Sequence, residues 1–569
     1  MPTITLQVGQ CGNQVGQALF ERLAAQSAFA STSNTLSSSS SGASTAATST
    51  ATHLDCAAAD NEVFRTGPDG RRRARCLLID TEPKVVNGVL AADRQGLFSR
   101  QQCYLGQSGR GNNWAFGYNQ LNNSSSSASA TPYGKPATAP STATPPWRPG
   151  GGPTALGPAW VSSTATEDPS QQEFRILDQV YDGIRREAEE ADGCPNFLLI
   201  HSLAGGSGSG MGSRILEHLR ANYPLSYIAA ASVAPRAAGD TPMQSLNAVM
   251  SLSFLQAYAD VVMLFSNQDL MDAFQRPAVA PLLPGGSEQG GAGTAAGSSG
   301  GGGGAGGGLA ALNRLVAHNL VGWLWPLDAA DALGGVGRIR DTVATVAADP
   351  CSKLLETWTV HCHPNVPVSA LWADSLRSLG ALMPRSDPLR GGRHITTAGA
   401  LLLARGYPPA AVPPPGGASG GGAGAHSSLL SAYMRSLGPH GAAPSLAPDA
   451  SLVLRCGQAA LWREPRRGAA GAGTAGASGG AGATTGKASA AGAAAPSLTA
   501  VCNRSSVIGL LEDTVARALA LCDAGAYLHW YARHGCSGHA VREAARVLLD
   551  VADCYRQTHR LPPGEYDVP

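Results

Sequence analysis

The run Leu203-Ala204-Gly205-Gly206-Ser207-Gly208-Ser209-Gly210-Met211-Gly212 is the part of the chain best suited to chemistry. It follows the apolar stretch Phe197 to Ile200 and precedes a segment in which Ile215, Leu216 and Leu219 share a helical face. Strand, glycine-rich turn and helix, in that order, aim main-chain amides at an anion. Glycine lets the backbone turn tightly and approach a ligand, and the first amides of a helix have no carbonyl partners. A phosphate chain suits this arrangement. The competing reading is linker, since the chain contains 71 glycines. The other glycine tracts, however, lie among Ala, Ser and Pro, whereas this run lies between two periodic apolar segments. No dinucleotide fingerprint, nucleophile elbow or complete Walker sequence can be read across it. The segment Gly482 to Ala488 imitates a Walker loop, but with the wrong spacing and Ala in place of Ser or Thr.

Asp80 and Glu82 lie two residues apart where an apolar run, Cys76 to Ile79, ends. Carboxylates are hard oxygen donors suited to magnesium beside a triphosphate. The same pair in a turn also reads as a solvated surface pair. Two histidine groups, His361-Cys362-His363 and His534 with Cys536 and His539, lack the paired spacing of a zinc site and read as surface or core residues.

Several strand-like runs end in polar loops that lead into helices. Thr3 to Val8 leads to Gly9-Gln10-Cys11-Gly12-Asn13-Gln14 and then a helix with Val15, Leu19 and Leu23 on one face. Ile228 to Val233 and Val261 to Phe265 repeat the pattern, the second ending in Ser266-Asn267. Alternating strands and helices predict an α/β fold with a doubly wound parallel sheet, its ligands bound where strands end. Residues 309–323 have apolar residues at helical spacing and predict a buried core helix. A mixed α+β region over 324–505 follows, with strands at Leu354 to Val360 and Leu452 to Leu454. The C-terminal residues 506–569 predict helices over Val507 to Ala526 and His539 to Cys554.

Composition divides the chain of 569 residues further. The stretches 31–60, 122–170, 284–308, 412–428 and 466–497 are rich in Ser, Thr, Ala, Gly or Pro and hold too little apolar surface to offset chain entropy. They read as insertions within a first domain (1–283), a linker, and insertions within the intermediate region. Lys plus Arg (41) nearly cancels Asp plus Glu (40), so no global attraction to nucleic acid or membrane is expected. No apolar run approaches membrane-spanning length, and the N-terminal residues read as a strand and not a signal peptide. Twelve cysteines without framework spacing predict reduced thiols and a cytoplasmic setting.

Three loops, taken together, resemble those of the tubulin family. Gln7 to Gly16 is similar to the family's first nucleotide loop, Gly109-Arg110-Gly111-Asn112-Asn113-Trp114-Ala115 to its third, and Ala204 to Gly210 to its signature. Ala204 in place of the first signature glycine, the segment Val316 to Leu320, and a tail without an acidic extension resemble the delta branch of that family, with the epsilon branch as competitor.

The resemblance implies GTP or GDP with Mg2+. It assigns nucleotide contacts to Gln10, Cys11, Glu82, Asn112, Ser202, Ala204, Gly205, Gly206, Ser207, Gly208, Ser209 and Gly210, with Asp80 and Glu82 near the metal. For Cys11, simple packing is an equal reading. Asn267 and Asn313 would read guanine, since a carboxamide offers a donor and an acceptor side by side. An Asn at a helix start reads equally as a cap. Leu309 stands where an aromatic commonly stacks on the base. Asp341 falls where a neighbouring subunit's catalytic carboxylate would sit, which implies a weak GTPase activated in trans by assembly; a helix-start aspartate is the other reading. The implied partners are other tubulins (epsilon, alpha or beta) and centriolar microtubules. The implied setting is the cytoskeleton: centriole, basal body and the base of cilium or flagellum. A self-contained nucleotide-dependent enzyme and an ordinary microtubule-lattice subunit are the alternatives.

Overall fold

A computed structural model describes residues 2–39, 56–119, 176–191, 193–235, 241–276, 305–327, 338–363, 365–384, 386–408, 446–457, 460–463 and 494–561. The expected insertions 122–170 and 412–428 lie outside the described residues, as do most of 284–308 and 466–497 and the tail beyond Leu561.

Ten strands form one sheet: β1 (Thr3–Val8), β2 (Cys76–Asp80), β3 (Cys103–Leu105), β4 (Asn196–Ser202), β5 (Ile228–Ala234), β6 (Val261–Ser266), β7 (Leu354–His361), β8 (Thr397–Arg405), β9 (Leu446–Gly457) and β10 (Ser497–Arg504). Their spatial order is β9-β8-β10-β7-β6-β5-β4-β1-β2-β3. The first six run parallel in the order 3-2-1-4-5-6, that of a doubly wound dinucleotide fold. The direction of winding reverses between β1 and β4, and the ligand crevice of such a sheet opens at that point beyond the strands' carboxyl ends.

Because strand side chains alternate, each strand feeds two cores. Leu78, Leu198 and Ile200 face one, with Val15, Leu19 and Leu23 of α1 (Gly9–Ser39) and Leu315 of the core helix Ala305–Leu324. Leu77, Ile79, Phe197 and Leu199 face the other. There they meet helices Gly212–Asn222 and Gln244–Tyr258, and beyond them Ser506–Asp523 and Gly538–Thr558. Burial on both faces explains why the parallel strands read as continuous apolar runs.

Three differences from expectation have physical reasons. Helix α1 continues to Ser39, and a short helix spans Cys56–Val63, so the segment 31–60 is helical at both ends. Ala and Ser carry modest helical cost, and a helix already nucleated on a packed face propagates cheaply. The core helix begins at Ala305, four residues before the expected 309. The sheet also does not stop with the first domain: β7 pairs in parallel with β6 through Val262 with Leu354 and Met263 with Leu355. Strand β10 then lies antiparallel to β7 and β8, and β8 pairs in parallel with β9. No helix among the described residues is long and apolar enough to cross a membrane.

Candidate nucleotide site

The glycine run is more helical than a plain turn. Gly206 already has helical backbone angles, and Ser207–Met211 form one π-helical turn that continues into Gly212–Asn222. The first bond of this helix is Ser209 N to Gly205 O at 3.2 Å. The amides of Gly206, Ser207 and Gly208 are therefore the partnerless first-turn donors. A π turn widens the helix and spreads those donors, a geometry common at functional sites.

Four loops meet around these donors. Gly9, at the end of β1, has φ +73, and a Cβ there would fall 2.8 Å from the nitrogen of Gly208. Thr81, after β2, holds its hydroxyl 2.6 Å from that of Ser207. A Cβ on Gly206 would fall 2.7 Å from the nitrogen of Asn113, in the loop after β3. The loops after β1 and β3 are thus packed backbone to backbone on the turn after β4, at distances only glycine permits, and the loop after β2 joins them through a hydroxyl pair.

Asn247, fully buried on the helix Gln244–Tyr258, ties the loops together. Its Nδ2 donates to Asn112 O at 2.7 Å and to Ala204 O at 2.6 Å. Its Oδ1 accepts from Trp114 N at 2.8 Å and from the Tyr531 hydroxyl. One carboxamide so fixes the loops after β3 and β4 and the short helix Leu528–Ala532. His201 supports the glycine turn from below, 3.1 Å from Gly208 O and 2.8 Å from Ser232 Oγ. Burial lowers its pKa to about 4, so the imidazole is neutral.

The remaining candidates fall as follows. Gln10 is exposed in the first turn of α1, and Cys11 packs against the core with burial pushing its thiol up to about 12. Asn112 is exposed with φ 51. Ser202 accepts from Ala204 N at 3.2 Å. The Ser209 hydroxyl bonds back to Gly205 O and Gly210 is buried, so both serve the turn's packing. Asn313 donates to Gln14 of α1 at 3.2 Å, one turn along from Gln10. Asn267 opens the helix Asn267–Gln275, but the cap is the Ser266 hydroxyl, which accepts from Asp269 N at 3.3 Å. Its carboxamide is not spent on capping. Leu309 is 50% exposed.

Asp80 is buried at the end of β2, and Glu82 lies across Gly109 of the third loop. Burial, opposed by the Thr81 and Glu82 amides and reinforced by the Glu82 charge, raises Asp80 to about 6. A buried carboxylate held short of full ionisation fits a divalent cation, whose charge would offset the lost hydration. Asp341 stands apart from these loops on the helix Arg338–Thr345, held by Arg338 and Arg455 at 3.2 Å each. Gly337 and Val336, just upstream, lie outside the described residues. Of the histidines, His361 stacks on His318, whereas His363 pairs with Asp374 at 2.9 Å. No group of metal-ligating side chains converges among the described residues.

Sequence reasoning missed Asn247. Its signal was an asparagine in a helix buried nearly all round, where an unpaired amide would be costly.

The strand order and the four convergent loops define a doubly wound α/β domain whose crevice gathers main-chain amide donors. Residues 2–131 and 168–275 match the family model for the Tubulin/FtsZ family, GTPase domain. The segments that carry all four loops are thus similar to a GTPase domain of Tubulin/FtsZ type.

Proposed function

We propose that the chain is a guanine-nucleotide-binding cytoskeletal subunit of the delta-tubulin type, acting at centrioles and basal bodies in triplet microtubules and in assembly of cilia or flagella. The observation that carries the nucleotide reading is the meeting of Gly9, Thr81, Asn113 and Ser207 at the winding reversal of the sheet. In this reading Gly205, Gly206, Ser207, Gly208 and Asn112 hold the phosphates, Gln10 and Cys11 approach the nucleotide beside them, and Ser202 and Ala204 shape the turn. Asp80 and Glu82 hold Mg2+, which neutralises phosphate charge when bound. Asn267 and Asn313 read the base.

Assembly with other tubulins (epsilon, alpha or beta) and centriolar microtubules follows from the same reading. The domain division at 283, 309, 324 and 506 accompanies it. Asp341 would act on a neighbour's nucleotide, orienting a water through the acceptor positions that its bonds to Arg338 and Arg455 leave open.

Chromatography of nucleotide released from the purified chain tests the site. GDP or GTP near one per chain is expected, with negligible turnover by the isolated chain. Asn313→Ala should weaken guanine nucleotides by roughly tenfold and adenine nucleotides far less. Equal losses for both would overturn base reading. Localisation of the tagged chain along cytoplasmic microtubules, and not at centrioles, would overturn the cellular role.

A further inference from the structure

The rim of the sheet holds a second concavity, beyond the ends of β5 and β6. It encloses 440 Å³ between the helices Gln244–Tyr258, Asn267–Gln275 and Ser506–Asp523. That volume suits a small molecule or one long side chain. Leu252, Leu264 and Val507 give it apolar walls. Among the described residues its charged lining is one-sided: Asp269, Asp272, Glu356, Asp387 and Asp513 against Arg517.

Two of these acids already have basic partners. Asp513 bridges Arg517 at 3.0 Å, and Glu356 bridges Arg504 at 3.0 Å. The others have no ion pair within 4 Å among the described residues, and the more distant charges of Arg504 on Asp269 and Arg390 on Asp387 favour their ionised forms. Asp387 is 4% exposed. Its Oδ1 accepts from Leu389 N at 3.0 Å, while its Oδ2 is buried with no hydrogen-bond partner. Asp269 is raised to about 7 by burial and by the charges of Glu356 and Asp272. A buried carboxylate oxygen without a donor is an uncompensated cost that a bound donor would remove.

We propose that this cavity is a second ligand site, taking an organic cation: a guanidinium or alkylammonium head on a short apolar stem. The carboxylates are spread around apolar walls and do not converge into a metal-binding group. A planar, multiply donating head can reach several of them at once while its stem covers Leu252 and Leu264. The proposal is independent of the guanine reading, since none of these carboxylates belongs to the four nucleotide loops, of which Leu203 alone lines the wall among the described residues.

Titration calorimetry on the full chain with butylguanidinium and with its neutral isostere butylurea tests it. The cation should bind at least about tenfold more tightly, and Asp269→Asn and Asp387→Asn should each weaken it by about tenfold. Nucleotide content should be unchanged in both variants. Equal binding of the two probes to the unmodified chain, which needs no variant to fold, would overturn the proposal. So would unaltered affinity in both folded variants. Capped arginine separates the sources of the cation: binding as tight as butylguanidinium indicates a side chain presented by a polypeptide, and its exclusion indicates a free small cation.

Discussion

Two concavities share one rim of the sheet, and they are built from opposite materials. The crevice at β1 and β4 is made of main chain: partnerless amides at Gly206 to Gly208, loops packed on glycine, and one buried carboxamide bracing them. The cavity beyond β5 and β6 is made of side chains, apolar walls set with five carboxylates from four separate segments. The first gathers main-chain donors and the second gathers carboxylates. Each also holds a carboxylate that burial keeps from ionising freely, Asp80 at about 6 and Asp269 at about 7. What differs is whether sequence spacing records the site.

The sharpest way to break this contrast is to disturb the brace and leave both linings intact. Asn247→Leu removes the donor to the part-buried Asn112 O and Ala204 O and the acceptor of the buried Trp114 N and Tyr531 hydroxyl, stranding four groups. A loss of about 3–5 kcal/mol is expected from such a network. Urea unfolding should show it, and nucleotide retained by the still-folded fraction should fall further than in any single-contact variant below. Retention at the unmodified level would mean that the loops hold their geometry without Asn247.

The contrast also explains how much of the molecule was legible beforehand. The parallel half was readable because strands buried on both faces are apolar throughout and end in loops rich in Gly, Asn or Ser. The signature run was readable because a backbone site demands glycine at consecutive positions. Strand β8, Thr397-Ala-Gly-Ala-Leu-Leu-Leu-Ala-Arg405, carries no β-branched alternation beyond its first residue. It is a strand because β9 and β10 flank it, a tertiary fact that propensity does not contain. Asn247 escaped for the same reason, since its four partners lie 43 to 284 positions away. The acidic cavity escaped entirely: Asp269, Glu356 and Asp387 share no motif, and only the fold brings them together.

A middle-sized effect separates the two buried carboxylates. Asp80 is raised from about 3.8 to about 6, so between those values the unfolded chain has lost a proton that the folded chain keeps. Its contribution to stability therefore falls as pH rises through that window and stays unfavourable above it, by roughly 2–3 kcal/mol in the metal-free protein. Asp80→Asn should raise the melting temperature of nucleotide-free, metal-free protein at pH 7.5 and flatten its profile between pH 4 and pH 6. The same variant should lose the stabilisation that Mg2+ with GDP gives the unmodified chain. Asp269→Asn should leave that response unchanged. If it abolished the response instead, the two concavities would not be separate in function.

The smallest effect tests whether main chain or side chain carries the phosphate site. Ser207 supplies both an amide in the first helical turn and a hydroxyl 2.6 Å from that of Thr81. Ser207→Ala removes the hydroxyl and leaves the amide, the π turn and the glycine contacts in place. If the amides dominate, nucleotide affinity should fall by only about threefold to tenfold, the worth of roughly one neutral hydrogen bond. Ser207→Pro would remove the amide as well, and its loss should be far greater than that of the alanine variant. Measured by competition with a fluorescent guanine nucleotide, a wide gap between the two places recognition in the backbone. A narrow gap would instead make the hydroxyl the principal contact, and the crevice would then depend on side chains as the acidic cavity does.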